Sequence, residues 1–167
     1  MLTRKSFSAA CLCVLLVVST VLVCSANILQ SCTPGFYKNH TQFIQGSSCG
    51  LSFDQNSTVS SLGIVAVDSC VGNLNLLQAL SAPSSFCGSG QAGQLDNGEI
   101  TLLRQGITRI LNATNSNPAA CNAINPLIAV MNNAINTSIA NDDKTAMINQ
   151  ATTFGNLNND SVCTVGD

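Results

Sequence analysis

Charge is scarce in this chain. Six Lys or Arg and eight Asp or Glu make up 8% of its 167 residues. No basic patch is available for nucleic acid or an anionic membrane surface, which excludes both as partners. Imidazole and large aromatic rings are scarcer still: His40 is the one histidine, Tyr37 the one tyrosine, and tryptophan is absent. A Ser-His-Asp site would have to use His40, yet no G-x-S-x-G elbow and no orienting acid accompany it. A zinc site is excluded by the same count, since no C-x-x-C pair joins the lone imidazole. No phosphate-binding glycine motif is present. Asp54-x-Asn56-x-Thr58 partly matches a calcium loop but lacks its glycine and distal glutamate. The two close acid pairs, Asp96/Glu99 and Asp142/Asp143, fall where helix N-termini favour acids, so paired-carboxylate glycoside hydrolysis is set aside. No catalytic residue, metal or cofactor is expected.

The long apolar run comes at the front. Arg4 and Lys5 precede "AACLCVLLVVSTVLV", Ala9 to Val23, and small residues Cys24, Ser25 and Ala26 follow. This is the three-part layout of a secretory signal, predicted over residues 1–26. The run is shorter than the about 20 residues a bilayer-spanning helix needs. An uncleaved N-terminal anchor is the alternative. No second apolar run follows, so the mature chain, residues 27–167, is expected to be one secreted domain without a transmembrane segment. Its charged residues are Lys38, Arg104, Arg109 and Lys144 against eight acids, a net −4.

With the leader go Cys11, Cys13 and Cys24. Cys32, Cys49, Cys70, Cys87, Cys121 and Cys163 remain, an even number that reads as three disulfides in a secreted chain. Spacing does not choose among the pairings. Asn, Ser, Thr and Gln replace charge on the polar surface. Five asparagines match N-x-S/T: Asn39, Asn56, Asn112, Asn136 and Asn159. In a eukaryotic source, glycans are expected at Asn56, Asn112, Asn136 and Asn159; Asn39 is left out because it lies in a crowded motif.

The first half, to Gly72, reads as irregular; "GIVAV", Gly63 to Val67, fits a buried strand or an apolar helical turn. The second half reads as helical, which makes the fold class all-α: a small disulfide-stabilised helical domain with an irregular N-terminal half. Asn73 is expected to cap a helix with Leu74, Leu77 and Leu80 on one face, stopping before Pro83. Ser81 to Gln94 reads as a loop pinned by Cys87. A capping box, Asp96 and Glu99, opens a helix with Ile100, Leu103, Ile107, Ile110 and Leu111 on its stripe and Arg104 and Arg109 on a solvated edge. Asn125-Pro126 starts a third helix burying Leu127, Ile128, Met131, Ile135 and Ile139. A fourth starts near Asn141, carries Asp142 and Asp143 in its first turn, buries Met147, Ala151 and Phe154, and ends at Gly155.

The densest stretch is "CTPGFYKNH", Cys32 to His40. Pro34-Gly35 fits a type II turn. Phe36 is expected in the core, Tyr37 over it with its hydroxyl at the surface, and Lys38 along an aromatic face. Asn39 suits backbone groups of a turn. The stretch reads as structural hardware, an aromatic clasp holding the N-terminus. The segment resembles the opening C-T-x-G-[FY]-W-K-N-H of a group of small secreted proteins and modules, common in bacteria and largely without assigned function. The matching residues are Cys32, Thr33, Gly35, Phe36, Lys38, Asn39 and His40, with Tyr37 where the group has Trp and Thr41 where it has Pro. The order of weaker motifs is similar too: Leu76 to Leu80, Leu102 to Ala113, Val130 to Ala134 and Leu157 to Cys163. In that group the first and last cysteines tend to pair, which implies Cys32–Cys163 here. Cys49, Cys70, Cys87 and Cys121, additions to the pattern, would then form two more bonds. The resemblance implies no catalytic residues.

The expected function is a secreted, non-enzymatic extracellular surface or matrix protein: an adhesion, coat or cell-wall component. Its partner would be a matrix or cell-surface component, or a second copy of itself. The alternative is an extracellular binding module for a lipid-like or other small ligand, for which the aliphatic content leaves room. A secreted enzyme or toxin-like effector using His40 and nearby acids is the third reading.

Overall fold

The structure, a computed structural model, describes residues 31–67, 69–83, 86, 91–116, 118–159 and 163. The leader and Cys87 lie outside them. Among them six helices follow in order: α1 (Pro34–Asn39), α2 (Ser69–Gly72), α3 (Leu76–Ser81), α4 (Gln91–Thr114), α5 (Ile124–Asn141) and α6 (Thr145–Asn158). Short 3-10 turns lie at Thr41–Phe43, Ser47–Cys49, Ser60–Leu62 and Pro118–Ala123. Among the described residues there is no strand, only two isolated antiparallel bridges, Gln45 to Asp54 and Thr58 to Asn75. The fold is all-α with an irregular N-terminal half.

The 24-residue α4 is the axis, and α3, α5 and α6 all pack on it. Its expected stripe is fully buried: Ile100, Leu103, Ile107, Ile110 and Leu111. Burial then continues round the helix, through Leu102, Thr108, Arg109, Asn112 and Thr114. A helix surrounded on all sides cannot be two-faced. Arg109 is therefore no solvated edge; it is 4% exposed, and its Nη1 donates to the Leu157 carbonyl at 3.4 Å. Arg104 is half-buried and its Nη2 donates to the Ala82 carbonyl. The start of α4 is also corrected. Asp96 and Glu99 do not open the helix but lie inside it, buried. No proline lies between Pro83 and Pro118, so nothing local stops the helix from beginning earlier.

Glycines set how closely the other helices approach α4. A side chain at Gly106 would run into Met131 of α5, and one at Gly98 would meet Met147 of α6 and Lys144 just before it. Both methionines are fully buried and fill the space these glycines leave. α5 begins one residue before Asn125 and carries on from the preceding 3-10 turn without a side-chain cap. It buries Leu127, Met131 and Ile135, but Ile139 is 46% exposed, because Ser138 takes the buried face at that level and its Oγ accepts from the Met147 amide at 3.2 Å. Asp142 ends it in a left-handed conformation, φ 50°. α6 therefore starts at Thr145, with Asp143 Oδ1 accepting from the Thr145 amide and hydroxyl at 3.1 and 2.8 Å. Met147, Ala151 and Phe154 form its buried stripe, and the helix continues three residues beyond Gly155.

In the first half, α3 is capped by Asn75, not Asn73. Asn75 and Gln78 form a reciprocal capping box, with contacts of 2.7 and 3.0 Å. Asn73 would have Leu76 at the third helical position, which cannot return the bond. Residues 63–67 are neither strand nor helix. Asn132 of α5 holds them: its Oδ1 accepts from the Val65 and Ala66 amides, and its Nδ2 donates to the Gly63 carbonyl. Two disulfides are described, Cys32–Cys163 and Cys49–Cys121, spanning 131 and 72 residues of sequence. Cys70 is also disulfide-bonded, to a cysteine outside the described residues.

Candidate functional site

The nine-residue stretch from Cys32 to His40 is where sequence reasoning concentrates chemistry, and the structure redraws it. Pro34-Gly35 is the first turn of α1 and not a type II turn. Thr33 is the N-cap, its Oγ1 accepting from the Phe36 amide at 3.3 Å, and Pro34 sits at the helix start where a missing N–H costs nothing. On a helix, Phe36 and Tyr37 point about 100° apart. Tyr37 turns inward and is 0% exposed, while Phe36 is half-buried. The expected order of the two rings is thus reversed. The reason is a partner for the phenol: Tyr37 Oη donates to Asn112 Oδ1 at 2.9 Å.

Asn112, on α4, is the centre of a buried polar cluster. Its Oδ1 also accepts from the Cys32 amide at 3.1 Å, and its Nδ2 donates to the Cys32 carbonyl at 3.1 Å. The side chain thereby pairs with the Cys32 backbone as a second peptide would. The same Nδ2 donates to Asn158 Oδ1 at 3.1 Å. Asn158, the last residue of α6, donates in turn to the Gln105 carbonyl and to Gln105 Oε1, both at 3.0 Å. Asn112 and Asn158 are both 0% exposed. Beside them the Leu157 carbonyl accepts from Ser31 Oγ and Arg109 Nη1. The Cys32–Cys163 bond ties the N-terminal segment to the chain beyond α6. Cys32 and Tyr37 from the N-terminal segment and Asn158 at the end of α6 thus converge on the Asn112 amide.

Burial pushes the Tyr37 phenol well above the ordinary tyrosine range. Held neutral and donating to an amide oxygen, it is a structural donor. His40 is exposed. Its ring stacks on Phe36, centroids 4.4 Å apart, and its Nδ1 is hydrogen-bonded to the Phe36 carbonyl at 3.0 Å. Phe43 also stacks on Phe36, centroids 5.8 Å apart. Lys38 and Asn39 are exposed. Among the described residues no group of three His, Cys, Asp or Glu is placed to hold a metal ion.

The remaining predicted sites are dispersed. Asn56, Asn136 and Asn159 are exposed. Asn112, by contrast, is fully buried, with both polar atoms of its amide engaged. Asp54 Oδ1 organises a tight turn, accepting from the amides of Asn56 and Ser57 and from Ser57 Oγ. Next to it opens a surface groove of about 360 Å³ lined by Gln45, Ser47, Leu51, Ser52, Phe53, Asp54 and Ser57.

Sequence reasoning missed the roles of Asn112, Asn158, Gln105 and Asn132. One signal was available: Asn112 directly follows Ile110 and Leu111 in a helix interior, where asparagine is unfavourable unless its amide is used. No protein-family model, curated protein or solved structure matches the chain. No described helix is long and apolar enough to cross a membrane.

Proposed function

We propose that the chain is a secreted, non-enzymatic surface or matrix protein, an adhesion, coat or cell-wall component. One observation carries the reading: its most chemically loaded stretch is spent on its own fold. Tyr37 and Asn112 are buried on each other, and His40 is stacked on Phe36. The disulfides support an oxidising compartment. In this reading residues 1–26 are a signal peptide, residues 27–167 are the secreted domain, and the chain joins the group opening C-T-x-G-[FY]-W-K-N-H. Loss of the leader leaves Cys87 as the partner of Cys70, and glycans at Asn56, Asn136 and Asn159 form the solubilising layer.

Native mass spectrometry of the protein from its own secreted fraction tests this. A mature mass beginning near Asn27 with three disulfides, as a bare monomer or a self-assembled oligomer, supports the reading. A full-length mass with Arg4 and Lys5 retained would overturn the secretory part.

A binding module is the second reading, supported by the groove at Gln45, Ser47 and Asp54. Its lining suits a small polar ligand better than a lipid. A tightly held extra mass, lost on denaturation, would put this reading first.

A further inference from the structure

Asn39 and Asn112 are the two N-x-T sequons in the clasp, and the fold treats them in opposite ways. Asn39 is the exposed last residue of α1. Asn112 is 0% exposed, and its Nδ2, the atom a glycan would occupy, already donates to the Cys32 carbonyl and to Asn158 Oδ1. N-glycosylation moves an oligosaccharide from a lipid-linked pyrophosphate donor. The sugar C1–O bond breaks, a C1–Nδ2 bond forms, and one Nδ2 proton leaves with the released pyrophosphate. A modified Asn112 keeps one N–H for two buried acceptors, and its sugar must occupy volume already filled.

We infer that glycosylation at Asn112 and closure of the clasp are mutually exclusive, so that the folded protein carries its clasp glycan on Asn39 and leaves Asn112 bare. This rests on the secretory reading above. The hydroxyl that the transferase needs is also withdrawn by folding: Thr114 is 2% exposed, its Oγ1 donating to the Leu111 carbonyl at 2.9 Å. The Asn112 sequon is therefore open only before α4 packs. A chain modified in that interval loses the amide that pairs with the Cys32 backbone, and with it the placement of Cys32 against Cys163. Asn39 has no such conflict. It lies three residues from Phe36 and next to His40, whose stacked rings offer an apolar face for the first sugar.

The test uses the full chain with its own leader, expressed in a eukaryotic secretory host. Medium and retained fractions are treated with peptide N-glycosidase in heavy-oxygen water and mapped without reduction. In secreted protein with Cys32–Cys163 closed, Asn39 is marked and Asn112 is not. Chains marked at Asn112 appear only in the retained fraction, with that disulfide open. Asn112 marked in secreted, closed protein overturns the proposal, as does Asn39 unmarked beside a marked Asn56 or Asn136. No mark on any sequon and no secreted protein removes the secretory reading itself, and the proposal with it. Thr114→Val deletes the Asn112 sequon with little change of shape; secreted protein keeps its glycan count under the proposal and loses one glycan if it is wrong.

Discussion

Residues 31–83 and residues 91–159 solve the same problem with different physics. The second region has helices of 24, 18 and 14 residues, packed through apolar stripes and through methionines set against glycines. In the first region no helix exceeds six residues, a length that does not hold in water by itself. Its backbone is held from outside. Asn112 grips Cys32, Asn132 grips residues 63–66, and Asn115, just past α4, donates from Nδ2 to the Phe43 carbonyl at 3.0 Å. Cys121 is joined to Cys49. The helical region acts as a template, and its asparagines and one cysteine position a partner whose own helices are too short to stand alone.

The comparison breaks most completely at Asn112. Asn112→Leu keeps the volume but strands the Cys32 amide and carbonyl, the Tyr37 hydroxyl and Asn158 Oδ1. Each buried group left unpaired costs about 1–3 kcal/mol, so the total is at least about 4 kcal/mol. Against a typical stability of about 5–15 kcal/mol, that is enough to leave much of the protein unfolded. Urea denaturation followed by circular dichroism should show a large fall in midpoint; a midpoint near wild type would remove Asn112 from the centre of the fold. Cutting the second tether should be milder and more local. Replacing Cys49 and Cys121 together by Ala should cost about 2–4 kcal/mol. Amide hydrogen exchange should speed up in residues 41–62 while α4 to α6 keep their protection. Equal loss in both regions would mean that the template does not stand without its passenger.

Gly106 tests the helical region in turn. Gly106→Ala gains up to about 1 kcal/mol of helix propensity but drives a methyl into buried Met131, and overpacking costs about 1–3 kcal/mol. A net loss of up to about 2 kcal/mol is expected, spread over the whole domain. In a Met131→Ala background the same change should become neutral or stabilising, which a double-mutant cycle in urea would show directly. An unaltered cost in that background would place the close contact elsewhere.

The two regions also differ in how legible they are. Apolar spacing gave the helical stripes of α4 and α6 because those faces follow a period that any reader of the sequence can count. Helix ends were less legible. Asp96 and Glu99 fit a capping box equally well as interior positions of a longer helix, and only packing decides between them. The clasp was legible as a place and not as a geometry. Thr33-Pro34 is as good a helix start as Pro34-Gly35 is a turn, and the choice depends on Asn112, far along the chain, offering the phenol a partner. Residues 63–67 have no local code at all; their conformation is written in Asn132. Structure imposed by side chains from a distant segment leaves little trace in the segment that adopts it.

Tyr37 gives the smallest effect and the cleanest observable. Tyr37→Phe removes one donor, while Asn112 Oδ1 keeps the Cys32 amide, so the loss should be about 1 kcal/mol. The pH dependence is more telling. In the unfolded chain the phenol ionises near the ordinary value of about 10. Burial raises that value in the folded state, so the folded protein keeps a proton that the unfolded chain gives up. The contribution to stability is therefore complete below pH about 10 and is lost as pH climbs above it. Tyr37 is the only tyrosine and tryptophan is absent, so phenolate absorbance reports this one group. It should stay silent past pH about 10 and then rise in step with unfolding, and Tyr37→Phe should remove this contribution to the alkaline loss of stability. A phenolate signal that titrates near pH 10 in protein with unchanged circular dichroism would mean that water reaches the hydroxyl, and that the clasp is open at its centre.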